Sequence, residues 1–204
     1  VCSGPLFDIW GFGFTSDSLP SDDAIQKAMQ DCRDGKVLNF NAIAQGYSCD
    51  VIAGYLHSIG VKDMLVDIGE IYCEGLNPSG KGWTIGVDNP VDGNNSPGKD
   101  LKGIWHSDGS GCGIVTSGNY RKFYIKDGKK YAHTIDPRTG YPVQHNLLSA
   151  TVVAPTAAEA DALATACMVL GAEDARSLIE SLDGVEAYLI CSDGTWKSDG
   201  FNLE

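Results

Sequence analysis

The sequence predicts an α+β fold with mixed or antiparallel sheets and packed helices. Two hairpin signals support this prediction, because Asp127-Gly128 and Asp193-Gly194 each separate two short apolar runs, and Asp-Gly is a preferred two-residue hairpin turn. A third observation is that the predicted helices fall between hairpins rather than after every strand. This order does not fit regular βαβ winding.

The composition is that of a folded, acidic chain. The 204 residues are 43% hydrophobic, which is enough for a full core, and the formal net charge is −12. This charge argues against a nucleic-acid partner, because phosphate binding needs a surface rich in Lys and Arg, and it would repel an anionic membrane surface. The sequence contains no run of about eighteen apolar residues, so no membrane span is predicted.

The cysteines are dispersed along the chain and form no CxxC pair, so the usual zinc and iron–sulfur spacings are absent. There are seven of them: Cys2, Cys32, Cys49, Cys73, Cys112, Cys167 and Cys191. An odd, dispersed count is not typical of a disulfide framework. We interpret most of them, Cys167 first, as small buried hydrophobic residues.

The first part of the chain predicts aromatic packing followed by a short helix. Gly4 to Gly13 is punctuated by glycine and predicts tightly packed irregular structure around Phe7, Trp10, Phe12 and Phe14. Core packing is favoured over a platform for a ring-shaped ligand. Ser21 is the expected N-cap of a helix from Asp22 to about Asp31.

Val37 to Asp50 predicts a strand-like start that leads into a helix from about Ile43 to Ser58, ended by Gly60. Gly46 in the first turns has low helix propensity and suits a close approach of another backbone. Two interpretations stay open for it: phosphate binding by the exposed N–H groups of a helix start, and crowding between helix and strand. The P-loop and dinucleotide-binding glycine patterns are absent.

The rest of the chain predicts short strands and two helices. Asn89 to Lys102 is rich in Pro, Gly and Asn and predicts a loop. Ala172 to Leu182 predicts a helix ended by Gly184. The predicted strands are Val61–Gly75 with Asp67 and Glu70 near its middle, Trp83–Val87, Ile114–Gly118, Phe123–Ile125, Lys130–Ile135, Leu147–Ala154 and a closing hairpin over Val185–Trp196. The strand at Ile114–Gly118 is expected to end in a small polar turn.

Thr156 to Gly171 predicts one helix with both ends marked. Thr156 and Glu159 have the spacing of a capping box, and Gly171 suits the helix stop. The predicted core-facing stripe is Leu163, Ala166, Cys167 and Leu170. Asp161 and Thr165 are four residues apart and share one face. They are either two oxygen ligands for a hard cation such as Mg²⁺ or a solvated polar face.

His133 to Pro142, HTIDPRTGYP, follows the hairpin at Asp127-Gly128 and contains a turn at Asp136 to Gly140. His133 and Arg138 are expected to lie close together at the end of a strand. A histidine beside an arginine in a turn is more often structural than catalytic.

Four segments carry recognisable patterns in one order along the chain. They are NFNAIAQGY at Asn39–Tyr47, Thr116-Ser117-Gly118, the run His133–Pro142, and the Asp161–Gly171 helix with its Asp, Thr and Val-Leu-Gly. Together they resemble the ApbE family of Mg²⁺-dependent FAD:protein FMN transferases. The His-x-Ile-Asp-Pro run and the Asp/Thr helix are specific, whereas Thr-Ser-Gly alone is a weak signal.

The resemblance implies an ApbE-like, T-fold-like single domain over residues 1–204 and a set of site residues. Asp161, Thr165 and the backbone carbonyl of Ala42 would hold Mg²⁺. FAD would contact Asn39, Gln45 and Ile135. His133 matches the position that would deprotonate the acceptor hydroxyl.

The chain departs from the family pattern at several points. Asn39 stands where Asp is usual, Gln45 where Lys or Glu is common, and Ala164 where some members have a second acidic metal ligand. The family's first strands, with part of the flavin pocket, are expected to precede Val1. The stretch Asp31 to Val37 looks shorter than in the family.

The implied reaction is attack of a protein Thr or Ser hydroxyl on the FMN-side phosphorus of FAD, which leaves a phosphoester-linked flavin and releases AMP. Two alternatives are a pyrophosphatase that splits FAD into FMN and AMP, and a flavin-binding lipoprotein without catalysis. The family also implies acceptor flavoprotein subunits of membrane electron-transfer complexes and a lipid-anchored location in the cell envelope or periplasm.

Overall fold

The computed structural model describes residues 4–12, 19–35, 38–92, 94, 96, 98–120 and 122–204. Cys2, Gly13, Phe14 and Val37, which enter the sequence predictions, lie outside these ranges. The chain divides into two compact units. One comprises Val1–Asn41 and Lys122–His145, and the other comprises Ala42–Arg121 and Asn146–Glu204.

The described ranges contain five helices and ten strands. The helices are α1 Gly4–Ile9, α2 Asp22–Arg33, α3 Ala44–Ser58, α4 Ala157–Leu170 and α5 Ala172–Glu180. The strands are β1 Met64–Asp67, β2 Ile71–Glu74, β3 Thr84–Asp88, β4 Leu101–His106, β5 Cys112–Gly118, β6 Phe123–Lys126, β7 Lys129–Ala132, β8 Leu147–Ala154, β9 Glu186–Cys191 and β10 Gly194–Lys197.

The first unit packs α1 and α2 with the β6–β7 hairpin. The irregular structure predicted for Gly4 to Gly13 is wrong, because Gly4–Ile9 is helical. Its aromatic residues do form a core: Trp10 is buried, stacks on Tyr131 and donates from Nε1 to the Gly140 carbonyl at 2.8 Å. Ser21 caps α2 as expected, since its Oγ accepts from the N–H of Ala24.

The second unit is built on a six-stranded sheet in the order β1-β2-β5-β8-β9-β10. All neighbouring strands of this sheet are antiparallel, which confirms the α+β prediction. A separate two-stranded sheet pairs β3 with β4. The main core lies between the sheet and α4, where Val115, Val152, Leu189 and Met168 are almost fully buried.

One strand prediction and one loop boundary in this unit are wrong. Val61–Gly75 is not one strand but the β1–β2 hairpin, which turns at Gly69 with φ 110°. The loop predicted for Asn89–Lys102 ends early, because β4 begins at Leu101. In the described part of the chain, no helix has the length and apolar character needed to cross a membrane.

Candidate active site

Helix α4 is capped at its N-terminus from two directions. Thr156 Oγ1 accepts from the Glu159 N–H at 3.1 Å, as the capping-box spacing predicts. The Asp50 carboxylate on α3 accepts from the N–H groups of Ala157 and Ala158, at 2.8 and 2.9 Å. A carboxylate at this position accepts hydrogen bonds from N–H groups that have no partner within the helix. Its negative charge also interacts favourably with the positive end of the helix dipole. The α3 helix therefore fixes where α4 begins.

One turn further along α4, Asp161 contacts α3 at Gly46. The Gly46 N–H donates to Asp161 Oδ2 at 3.0 Å. A Cβ added at Gly46 would overlap the Ala157 carbonyl and lie 2.8 Å from the Asp161 Cβ. Of the two interpretations of Gly46, crowding is the one observed, although the neighbour is helix α4 rather than a strand. Its N–H is committed to Asp161 rather than exposed for a phosphate.

The Ala42 carbonyl lies just outside helix α3, because it precedes the N-cap residue Ile43. The N-cap carbonyl is the first to accept a helical hydrogen bond, so the helix supplies no donor to Ala42, and the Gly46 N–H, which has no acceptor within the helix, donates to Asp161. No described residue donates a hydrogen bond to the Ala42 oxygen, and the next N–H along, that of Tyr47, donates to Ile43. The oxygen of the Ala42 carbonyl is therefore available as a ligand for a cation.

Asp161 lies in the core-facing side of α4 rather than on a solvated face. Its exposed fraction is 4%, and burial raises the pKa of its carboxyl group. The predicted stripe is therefore only partly right. Cys167 is buried, whereas Leu163, Ala166 and Leu170 are half-buried, and the buried face comprises Ala157, Ala160, Asp161, Ala164, Cys167 and Met168.

Thr165 lies one turn beyond Asp161 and is held by β5. Its Oγ1 is 3.4 Å from Ser117 Oγ. Ser117 belongs to the Thr116-Ser117-Gly118 segment, which continues β5 rather than forming the predicted turn. Thr116 Oγ1 in turn contacts Thr151 Oγ1 on β8 at 2.8 Å. The sheet thus sets the position of the Thr165 hydroxyl.

The donors around Asp161 are chemically suited to a hard cation. A carboxylate, a hydroxyl and a backbone carbonyl are oxygen ligands of the kind that Mg²⁺ takes. Within the described ranges Asp161 has no Lys or Arg partner, so nothing described there neutralises its buried charge. Those ranges also hold no group of three or more His, Cys, Asp or Glu arranged for a metal, so a metal site here would combine the single Asp161 carboxylate with neutral oxygens.

Gln45 belongs to the same unit and packs against the β1–β2 turn. Its Nε2 donates to the Ile68 carbonyl at 3.3 Å, and a Cβ at Gly69 would lie 2.6 Å from that nitrogen. The side chain is exposed. Its predicted contact with FAD stays a prediction.

The other predicted residues lie in the first unit. Asn39 Oδ1 accepts from the Asn41 N–H at 2.8 Å, a local side-chain turn before α3. Ile135 forms an antiparallel bridge with Pro142 and packs against the core that contains Trp10 and Ile25. Their contacts with FAD also stay predictions.

His133 has the protonation state that a general base needs. Its Nδ1 lies 3.1 Å from the Lys122 carbonyl oxygen, and a carbonyl can only accept, so Nδ1 carries the proton and Nε2 the lone pair. Burial lowers the pKa of His133 below its usual range, which favours the neutral imidazole. The ring also lies edge-on to Phe12.

The Arg138 guanidinium is paired with a carboxylate of the same turn. Its Nε and Nη2 donate to the two carboxylate oxygens of Asp136, each at 2.9 Å in its shortest contact. The guanidinium holds the pKa of Asp136 below its ordinary value. The pairing makes Arg138 a structural part of this turn.

The structure thus brings together four of the seven predicted residues in one unit: Ala42, Gln45, Asp161 and Thr165. Asn39, His133 and Ile135 belong to the other. Two supporting residues were missed. Asp50 had no sequence signal because its partners are more than 100 positions away, and Ser117 lay in the Thr-Ser-Gly segment that was considered weak.

Comparison with known proteins identifies the family of this chain. The model of the ApbE family matches residues 1–189. The chain belongs to the ApbE family. Among its curated relatives, the FAD:protein FMN transferases of Klebsiella pneumoniae and Escherichia coli K12 are each 34% identical over 227 aligned residues. Each alignment covers 98% of this chain and 63% of the relative, so the chain spans less than two thirds of those proteins.

Solved ApbE structures share the fold. The apo flavinyl transferase ApbE of Pseudomonas stutzeri is 34% identical with a TM-score of 0.78, over 97% of this chain and 65% of that one. The ApbE protein of Thermotoga maritima is 27% identical with a TM-score of 0.83, over 100% of this chain and 71% of that one. These likenesses confirm the predicted family and fold class.

Proposed function

We propose that this ApbE chain takes part in Mg²⁺-dependent transfer of the FMN part of FAD to a Thr or Ser hydroxyl of an acceptor flavoprotein, with release of AMP. The observation that carries the proposal is the buried carboxylate of Asp161. It has no cationic partner among the described residues, and it lies in a chain whose 34%-identical relatives are named FAD:protein FMN transferases.

In this proposal Asp161, Thr165 and the Ala42 carbonyl hold Mg²⁺. The bound ion would neutralise pyrophosphate charge, the contribution that dominates phosphoryl transfer. The protein's own part is to keep these oxygens in place. Asp50 and Thr156 cap α4, the Gly46 N–H orients the Asp161 carboxylate, and Ser117 supports Thr165. Asn39, Gln45 and Ile135 would contact FAD.

His133 is the proposed base. The acceptor hydroxyl would give its proton to Nε2 of His133 as its oxygen bonds to the FMN-side phosphorus. The bond from that phosphorus to the bridging oxygen would break, and AMP would leave with that oxygen. A positioned general base contributes about 10²–10⁴-fold to a rate. The fixed Nδ1–H contact to Lys122 supports this role, because it leaves Nε2 as the acceptor.

The acceptors would be flavoprotein subunits of membrane electron-transfer complexes, and the protein would act in the cell envelope or periplasm as a lipid-anchored enzyme. Both parts of this proposal rest on the family resemblance. The net charge of −12 means that an anionic substrate such as FAD needs a local cation, which also favours a metal beside the pyrophosphate.

The test is a product analysis. The protein is incubated with FAD, Mg²⁺ and a flavoprotein acceptor that carries the target threonine, and AMP, FMN and the acceptor mass are measured. An FMN-sized increase in acceptor mass with equimolar AMP is the expected result. AMP and free FMN with an unmodified acceptor would instead show a pyrophosphatase, and bound, intact FAD would show a flavin-binding protein. Asp161→Asn is the matched control, because Asn retains an acceptor for the Gly46 N–H.

A further inference from the structure

Two cysteines face each other across neighbouring strands of the six-stranded sheet. Cys73 on β2 and Cys112 on β5 are directly opposite in the antiparallel register, so their side chains lie on the same face. Both belong to one buried cluster with Trp105 and Phe201.

The register shows which kind of antiparallel pair this is. The Asn119 N–H donates to the Leu148 carbonyl across β5 and β8, and Gly118 is opposite Ser149. The backbone N–H and C=O groups of successive residues point to opposite sides of a strand. Gly113 is an even number of residues before Asn119, so its backbone groups also point to β8. The backbone groups of the preceding residue, Cys112, therefore point to β2.

The β1–β2 turn gives the same answer independently. The Ile68 N–H donates to the Glu70 carbonyl, which directs the backbone of Glu70, Tyr72 and Glu74 toward β1. The backbone of Cys73 therefore points to β5. Cys73 and Cys112 form a hydrogen-bonded pair, in which Cα atoms lie about 5.5 Å apart, inside the range that a disulfide spans.

The two thiols are not equivalent. The neighbouring Cys73 thiol lowers the pKa of Cys112, whereas the Cys112 thiol and burial raise the pKa of Cys73. Cys112 is 9% exposed and begins β5 directly after Gly111, whereas Cys73 is fully buried. Since the thiolate is the attacking species, Cys112 is the thiol that reacts first.

We propose that Cys73 and Cys112 form a reversible disulfide site in the native protein. The oxidant is a disulfide, either of a small thiol such as glutathione or of a thiol oxidoreductase. Cys112 Sγ attacks one sulfur of that disulfide, the S–S bond breaks, and one thiol leaves. Cys73 Sγ then attacks Cys112 Sγ in the mixed disulfide and releases the second thiol. One S–S bond forms for one broken, and the two cysteine protons leave with the two product thiols.

The bond is expected to be easily reduced. Directly opposite Cβ atoms lie about 4.5–5.5 Å apart, and the longer distances occur in hydrogen-bonded pairs. A disulfide prefers about 3.8 Å, so closing the bond strains the strands. Strained disulfides have higher reduction potentials and are the labile ones. The site therefore suits reversible oxidation rather than permanent cross-linking.

The experiment is native-state redox titration followed by peptide mass spectrometry. The folded, reduced protein is incubated in a series of glutathione to glutathione-disulfide ratios, quenched with acid and N-ethylmaleimide, and digested. The expected product is a linked peptide pair containing Cys73 and Cys112, about 2 Da lighter than the two thiol peptides together, because each thiol loses one hydrogen. Excess glutathione should return both thiols.

Cys191 is the internal control, because it is half-buried and the registers place Leu147 and Gly194, not cysteine, opposite it. It should give only a glutathione adduct. Cys73→Ser should convert the linked product into a glutathione adduct on Cys112, and Cys112→Ser should leave Cys73 as an unmodified thiol. The proposal is overturned if Cys73 and Cys112 stay separately alkylated at every ratio while Cys191 is glutathionylated.

Discussion

Replacing Gly46 by alanine tests the packing of α3 against α4 that positions Asp161. The added methyl group would overlap the Ala157 carbonyl and lie 2.8 Å from the Asp161 Cβ. The overlapped atoms belong to the backbone of a capped helix, so they cannot rotate away as a flexible side chain could. The helices must separate, and the 3.0 Å hydrogen bond from Gly46 to Asp161 is lost or lengthened.

The magnitude follows from three contributions. Overpacking a dense contact costs about 1–3 kcal/mol, and losing a hydrogen bond to a charged group costs about 1.5–3 kcal/mol. Alanine regains about 1 kcal/mol of helix propensity. The net loss is roughly 1.5–5 kcal/mol, which corresponds to a fall in Tm of about 3–20 °C for a chain of this length.

Gly54→Ala is the matched control, because Gly54 lies on the same helix and a Cβ there meets nothing within 4 Å. It should raise the stability by about 0.5–1 kcal/mol. Both variants are compared with the parent protein by scanning calorimetry and urea unfolding. Equal stability of Gly46→Ala and Gly54→Ala would refute the close α3–α4 contact.

Three further predictions concern the cap, the base and the turn. Asp50→Ala should lower the unfolding free energy by about 1–3 kcal/mol, measured by urea unfolding, because two N–H groups of α4 lose their acceptor; an unchanged midpoint would exclude the cap. His133→Gln should reduce FMN transfer by about 10²–10⁴-fold. Since burial lowers the pKa of His133, the acid limb of the parent's rate profile should lie below pH 6.5, and a limb above that pH would contradict the buried neutral base. Arg138→Gln should destabilise the protein at neutral pH and progressively less as the pH falls through the depressed pKa of Asp136, below 3.8. The reason is that a lowered carboxyl pKa contributes stability only while the group is ionised. A Tm difference that does not change with pH would count against the ion pair.

Features specified by neighbouring residues were predictable from the sequence. The Thr156 cap, the stop at Gly171, the hairpin turns and the extent of β8 all depend on local patterns, and the structure agrees with them. The proposed metal ligands were selected in a different way. Asp161 and Thr165 stood out because two polar residues interrupt an alanine-rich helix at helical spacing.

Features that depend on tertiary contacts were not predictable. Nothing in the sequence near Asp50 indicates that it caps a helix 107 positions later. The buried face of α4 was misplaced because small alanines, rather than the larger Leu163 and Leu170, allow close approach to α3 and the sheet. The turn at Gly69 was missed because a single glycine between apolar runs also fits a continuous strand.

We propose that the buried Asp161 carboxylate is a ligand for Mg²⁺, and thermal unfolding in a Mg²⁺ titration tests this role most directly. An ion that binds only the folded state at 100 times its Kd adds about 2.7 kcal/mol, or about 5–11 °C in Tm for a protein of this size. The parent protein should show such a saturable increase, and Asp161→Asn should not. An equal Mg²⁺-dependent increase in both proteins would contradict the claim, because the ion would then act through the acidic surface in general rather than through Asp161.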